Sequence, residues 1–510
     1  ERARAAYDLA AAPGERLTLR LAATAHADVG ICRFAVSALT GPATISADAA
    51  RIFVTEHRVR GDGVHEAGLR PQDQVASEAG MTRCFWAWLS VPDDAPAGVY
   101  AGSATITPER GAARSFPIVL TVHPFRVRAP SWSLGMYYNI PADERIQREQ
   151  LRFKRAIGFT ATSLPAGRVT GIAGDRVQVE FDEAVYRRVK EEGFGADPGH
   201  LQMSAALPIA RGIARSHLGF GARVDQRPGS ELTDARLKPL YQDWLRQYAE
   251  FIRAQGMPVA VEIVDEPREV PNPWNRTLDQ TNTYADWMRE VGFAHGFVTP
   301  MGDSNGGRDY VSLADHAGIV SIHAGAGSRR LMERTLELGK PLWFYNTGMD
   351  RLSWGFYAWR AGVTGRWEWH FLFDDAGSGA PGYPNGEEWY NPFTGRDGMT
   401  TRAPATYPGA MLFKSAFFAA AEGIRDAAYL ATLEDAMRAA RGNAAQAAAL
   451  ARAEAFLADL RREIPLIIDV HGLGGEDSGA LVGQGLQSSI EARCEAWRRR
   501  AAGLIAELRD

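Results

Sequence analysis

Cysteine is scarce in this chain. Three are spread over 510 residues, Cys32, Cys84 and Cys494. None belongs to a CxxC or metal-knuckle spacing, which argues against a zinc module, a dithiol redox site and a disulfide-built scaffold. Cys32 and Cys84 stand in strand-like contexts, where small core side chains are expected and a disulfide between them is the alternative. Long apolar runs are missing, so no segment reads as a helix spanning a bilayer. An excess of one charge is missing too: the net charge is −4, which gives no reason to invoke nucleic acid or an anionic membrane. His316 and His323 lack HExxH-like spacing, and Gly325-Ala326-Gly327 is followed by no Lys-Ser/Thr, so neither a metal nor a nucleotide cofactor is expected. Ser163 and Ser204 have no visible His-Asp partnership. Internal repeats and low-complexity tails are absent. The chain opens at Glu1 with neither an initiator Met nor a signal-like stretch. A processed N-terminus is expected, which leaves room for a periplasmic or secreted location with the signal segment missing. Oligomeric state is not readable from these residues.

What is present is a long chain of ordinary globular composition, 45% hydrophobic and 23% charged. That length exceeds one ordinary core, so two or three domains are expected. Residues 1–128 read as all-β. Leu17, Leu19 and Leu21 alternate with polar residues, and short apolar runs such as Phe85-Trp86-Ala87-Trp88-Leu89 and Ile118-Val119-Leu120 are separated by turn clusters. Such spacing predicts an antiparallel β-sandwich. It carries no acidic or histidine cluster, so a packing domain is its simplest reading.

From about residue 129 to 420 strand-like runs alternate with helical ones, which favours parallel βα units. Eight runs count towards a (β/α)8 barrel: 134–139, 159–163, 201–207, the run ending at Asp265 and Glu266, 297–303, 319–323, 341–346 and 363–370. The fourth run, Ala260-Val261-Glu262-Ile263-Val264-Asp265-Glu266-Pro267, organises the rest. A helical pattern from Leu237 to Ile252 precedes it and Gly256 closes that helix. The run ends in two adjacent carboxylates before Pro267, which removes a donor and stops regular pairing. Catalytic groups of β/α barrels sit at the C-terminal strand ends. Neighbouring side chains of a regular strand point to opposite faces, so Asp265 and Glu266 share one site only where the chain bends. Polar and aromatic residues recur at the other strand ends: Tyr137, Tyr138, Asn139, Asp303, Asn305, His323, Tyr345, Asn346, Trp367, Glu368, Trp369 and His370. They are the candidate ring around Glu266, with ordinary core or hydrogen-bonding roles as the alternative. Thirteen Trp fall largely mid-chain, suited to stacking on sugar faces or to filling a barrel core. A long Gly-, Pro- and Trp-rich loop follows at 374–409, and residues 421–510 read as a C-terminal helical segment.

Two carboxylates at one strand end suit glycosidic chemistry, in which one group donates a proton and another supports positive charge at the anomeric carbon. Two schemes compete. A conventional retaining enzyme needs a second carboxylate elsewhere as nucleophile. The seventh run, Leu342 to Asn346, has no acid, and Glu368 on the eighth is the only nearby substitute. In a substrate-assisted scheme the sugar's own 2-acetamido oxygen attacks, and an adjacent Asp-Glu pair supplies both the acid/base and the group that orients the acetamido N–H.

Further phrases point one way. Asp265-Glu266-Pro267 resembles the fourth-strand end of glycoside hydrolase family 123. Val91-Pro92-Asp93-Asp94-Ala95-Pro96-Ala97-Gly98-Val99-Tyr100 resembles the strand-turn phrase of that family's N-terminal sandwich. Leu342-Trp343-Phe344-Tyr345 resembles its seventh strand, Gly365 with Trp369 its eighth, and Tyr407-Pro408-Gly409 with Glu422 to Leu430 its closing segment. The resemblance covers about residues 90 to 430. It departs at Trp367-Glu368-Trp369-His370, where the family is more apolar, and at Asp426-Ala427-Ala428-Tyr429, where it is more acidic and aromatic. It implies an exo-acting retaining β-N-acetylhexosaminidase acting on an oligosaccharide or glycoconjugate, without cofactor. Asp265 is then the acetamido stabiliser, Glu266 the general acid/base, Tyr345 a partner of the acetamido oxygen and Trp369 a pocket wall. The alternatives are a conventional glycosidase with Glu368 as nucleophile and a non-catalytic carbohydrate-binding protein.

Overall fold

The structure is a computed structural model. It describes residues 6–60, 63–137, 140, 143–195, 200–202, 206–218, 233–265, 267, 278–299, 310–323, 329–368, 371, 400–402, 411–464 and 484–509. The chain divides into two compact units, residues 1–130, 372–462 and 493–510 in one, 131–371 and 463–492 in the other. The described residues 400–402 and 411–420, read from the sequence as part of the barrel, group with the N-terminal β unit, as do most of the helices beyond 420.

The first unit contains two mainly antiparallel sheets. One is ordered Tyr7–Ala11, Arg114–Val122, Gly98–Pro108, Gly30–Val36, Gln74–Ser77, its first pair parallel. The other is ordered Arg16–Thr24, Thr82–Ser90, Ala50–Arg60, Gly63–Arg70, Met411–Phe413, Thr400–Arg402. The alternation seen in the sequence is the reason for their shared core. Leu17, Leu19, Leu21, Phe85, Ala87 and Leu89 from one sheet are buried in the same cluster as Phe34, Val36, Tyr100, Ala104, Ile118 and Leu120 from the other. Cys32 and Cys84 are free thiols on different sheets.

The second unit holds one parallel sheet of seven strands: β1 (Ser133–Met136), β2 (His200–Gln202), β3 (Val259–Asp265), β4 (Gly296–Thr299), β5 (Ile319–His323), β6 (Leu342–Tyr345) and β7 (Gly365–Glu368). Their spatial order is β1-β7-β6-β5-β4-β3-β2. Helices connect successive strands, as parallel pairing requires. The helix Leu237–Gln255 buries Leu237, Leu240, Tyr241, Trp244, Leu245, Tyr248 and Ile252, and Gly256 ends it at φ +64°, a conformation a glycine adopts without a Cβ clash. Seven of the eight expected strands therefore exist. The expected second, 159–163, forms no ladder. Thr160 N and Ala161 N both donate to the single carbonyl of Leu134, while the Thr160 hydroxyl donates to Trp132 O at 2.6 Å and accepts from Leu134 N at 2.9 Å. A side-chain oxygen replaces the main-chain partner there, so the run lies against β1 without regular pairing.

One face of the seven-stranded sheet carries Ala260, Phe297, Ile319, Trp343, Tyr345 and Trp367, joined by Tyr137 and Ala161 in one buried cluster. Two glycines make room for its indoles. A Cβ on Gly135 would lie 2.8 Å from the Trp367 ring and 2.9 Å from Ala161 O, and one on Gly365 would lie 2.4 Å from the Trp343 ring.

Candidate active site

Strand β3 is the apolar run expected from sequence, with one charge inside it. Residues 259–264 are all buried and Asp265 is half-buried. Its pairing with β4 slips. Val261 faces Gly296 and Glu262 faces Phe297, but the next pair is Asp265 with Thr299. Three residues advance on β3 against two on β4, so one is extra, which is a β-bulge. Partners in register share a face, and Phe297 belongs to the inner aromatic cluster. Glu262 and Thr299 therefore lie inward. In unbroken alternation Asp265 would point outward with Ile263; the bulge turns it inward with Glu262.

Glu262 is fully buried and is the centre of a hydrogen-bonded set. Its Oε1 accepts from the Tyr137 hydroxyl at 3.2 Å and from the Thr299 hydroxyl at 2.9 Å. Tyr137 and Thr299 are themselves buried. The Tyr137 ring meets the Tyr345 ring edge-on at 5.1 Å and Trp367 at 6.1 Å. Burial pushes the Tyr137 phenol well above its ordinary range, reinforced by the charges of Glu262, Tyr345 and Asp265, so it stays protonated and donates. The floor continues in Trp367, whose Nε1 donates to Ser133 Oγ at 3.0 Å and whose ring stacks near Trp343 at 6.5 Å. These contacts lock the aromatic groups before any ligand arrives.

Asn346 follows Tyr345 directly. It is buried, its N–H donates to Trp367 O at 3.1 Å, and its φ is +53°. It is the one non-glycine with positive φ among the described residues. Asparagine is among the few non-glycine residues that tolerate this conformation, and held there it sets the chain direction just after Tyr345.

Glu368 lies elsewhere. It is one residue beyond Trp367 on a regular strand, hence on the opposite face. There its Oε2 sits 2.6 Å from the Arg366 guanidinium, with both side chains buried. Arg366 also donates to Gly348 O at 2.5 Å and to Trp367 O, and lies 4.4 Å over the Trp354 ring. The structure therefore brings together Asp265, Tyr137, Tyr345, Asn346 and Trp367 and separates Glu368 from them. His323 ends β5 in register with Tyr345. Glu266, Tyr138, Asn139, Asp303, Asn305, Trp369 and His370 lie outside the described residues. Sequence reasoning missed Glu262 and Thr299. The signal available was a glutamate within an otherwise apolar strand, which must find polar partners if it is buried. Among the described residues no group of three His, Cys, Asp or Glu could hold a metal ion, and no helix is long and apolar enough to cross a membrane.

The class these features define is a parallel β/α unit with an inward acid at the C-terminal end of one strand above an aromatic floor. No family model matches the chain, and no curated protein sequence does either. Among solved structures, the chain shares the fold of a family 123 glycoside hydrolase from Clostridium perfringens, described for glycolipid glycan hydrolysis. The TM-score is 0.66 at 14% identity, over 98% of this chain and 94% of that one. A family 39 glycoside hydrolase from Bacteroides cellulosilyticus WH2 matches 68% of this chain and 74% of its own at 14% identity, with a TM-score of only 0.33.

Proposed function

We propose that this chain is an exo-acting retaining glycoside hydrolase, a β-N-acetylhexosaminidase in which the substrate's 2-acetamido oxygen is the nucleophile. The observation that carries the reading is the bulge in β3, which turns Asp265 inward over Tyr137, Tyr345 and Trp367. The shared fold with the Clostridium enzyme supports it. In this reading the second unit is an eightfold β/α barrel whose second strand is irregular, and the first contributes a β-sandwich.

The chemistry needs two protein groups. Glu266, next in the chain, protonates the glycosidic oxygen as the bond breaks. The acetamido oxygen attacks C1 from the opposite face and closes an oxazolinium ring. Asp265 accepts the acetamido N–H and balances the positive charge of that ring. Glu266 then takes a proton from water, which attacks C1 and restores the original configuration. Tyr345 bonds the acetamido oxygen and Trp369 walls the sugar; Asn346 beside Tyr345 completes that edge. The pairing of Glu368 with Arg366, on the far face from Trp367, weighs against Glu368 as a protein nucleophile. Glycans ending in β-linked N-acetylgalactosamine, including those of glycolipids, are the substrate class to test.

The test is a panel of aryl glycosides with and without a 2-acetamido group. Cleavage confined to the 2-acetamido members is expected, with Glu266→Gln crippling substrates of poor leaving groups far more than good ones, since only the former need protonation. A glycosyl adduct on the intact protein by mass spectrometry would refute the substrate-assisted scheme. Sugar binding without turnover on any member would favour a carbohydrate-binding protein.

A further inference from the structure

The Tyr137 hydroxyl bonds Glu262, and Asp265 pairs in register with Thr299, the other donor to that carboxylate. The charges of both Glu262 and Asp265 act on the Tyr137 hydroxyl. A phenol has one proton to give, and the geometry gives it to Glu262 at 3.2 Å. Thr299 adds a second donor to the same oxygen at 2.9 Å. Glu262 reaches this position only because β3 carries it on the inner face, three residues before Asp265, across the bulge. A charge there has no packing value. An apolar residue of similar size would fill the strand without a desolvation cost.

We propose that Glu262 is a positioning residue that fixes the direction of the Tyr137 proton, so that the phenol oxygen faces Asp265 and the ligand as an acceptor. This rests on the glycosidase reading of the site. With the proton held by Glu262, Tyr137 cannot compete with a substrate N–H for the Asp265 carboxylate. Replacing Glu262 by Gln keeps the shape and removes the charge. The neutral amide oxygen holds the phenol proton less strongly than the carboxylate does, so the proton is drawn towards the charged Asp265, where it opposes acetamido binding.

The experiment compares wild type, Tyr137→Phe, Glu262→Gln and the double variant. Two readouts are used: kcat and KM on an aryl 2-acetamido glycoside across pH, and thermal unfolding without ligand. Glu262→Gln is expected to lower kcat/KM by about tenfold or more, the scale of one misdirected buried hydrogen bond, and to move the acidic limb of the pH profile downward. The double variant should recover most of that loss, because no phenol proton remains to be misdirected. In unfolding, the two single effects should be non-additive, as for directly bonded groups. A double variant as impaired as Glu262→Gln, with an unmoved pH profile, would show a merely structural role and overturn the proposal. A wild type that cleaves no aryl glycoside sinks the glycosidase reading instead. Additive unfolding effects would then overturn this inference as well, while non-additive ones would keep Glu262 as the keeper of the Tyr137 proton in a site of other chemistry.

Discussion

Glu368 offers the sharpest separation of a stability role from a catalytic one. Its carboxylate lies 2.6 Å from the Arg366 guanidinium, and the two side chains are 5% and 0% exposed. Arg366 has carbonyl partners at Gly348 and Trp367 and the Trp354 ring beneath it, and Glu368 is the carboxylate in direct contact with it, while the buried Asp350 also feels its charge. Removing one partner of a buried pair strands the other charge, at a cost of about 3–5 kcal/mol. For a unit of this size each kcal/mol moves the transition by about 2–4 °C, so Glu368→Gln should lower Tm by roughly 10 °C. Replacing both residues by Met removes the pair together with its desolvation cost. That double variant should be less destabilised than either single one, the non-additivity expected of contacting groups. The assay is differential scanning calorimetry with kcat measured well below the transition, where the folded variant should turn over within about threefold of wild type, since Glu368 lies on the face of β7 opposite to Trp367. An unchanged Tm with abolished turnover, or a fluorinated mechanism-based sugar attached to Glu368, would refute the reasoning and restore Glu368 as nucleophile.

Asp265→Asn should lose kcat severely while binding of the neutral product sugar changes little, because neutral Asn cannot balance an oxazolinium charge; a thiazoline analogue should lose far more affinity than that sugar, read by calorimetry. Gly135→Ala should cost about 1–3 kcal/mol, since its Cβ would meet the Trp367 ring at 2.8 Å and Ala161 O at 2.9 Å. Gly503→Ala, in a helix with open space around the new methyl, should instead stabilise by about 0.5–1 kcal/mol; equal Tm shifts for the two would contradict the packing. Lys154 is buried, donates to Thr162 Oγ1 at 3.0 Å, and is pushed well below 10.5 by burial. The unfolded chain therefore binds more protons than the folded one below pH 10.5, so folded stability rises with pH across that window. Lys154→Met should raise Tm at pH 7, with the advantage shrinking as pH approaches 10.5; an advantage constant with pH would show that the lysine keeps its proton.

The sequence by itself determined the elements. The periodicity of Leu237 to Ile252, the stop at Gly256 and the apolar run to Asp265 each reflect local rules of backbone and burial, and each appears where expected. The alternation of Leu17, Leu19 and Leu21 likewise fixed which side of a strand is buried. Asp265 was legible as a candidate because a carboxylate at a strand end needs no partner to be noticed. Which way it points was not legible. Facing depends on registry with β4, and the slip between Glu262 and Asp265 is a property of two strands distant in sequence. Glu262 was hidden for the same reason: its meaning lies in Tyr137 and Thr299, brought to it from 125 and 37 residues away. Glu368 looked like a neighbour of Trp367 and proved a neighbour of Arg366, because alternation assigns faces only after the sheet has chosen its inside. The run at 159–163 had strand-like residues yet no ladder, since the Thr160 hydroxyl occupied Leu134 N, the donor a paired strand would have used. Local chemistry wrote the strands and helices; pairing across the chain decided which side chains meet.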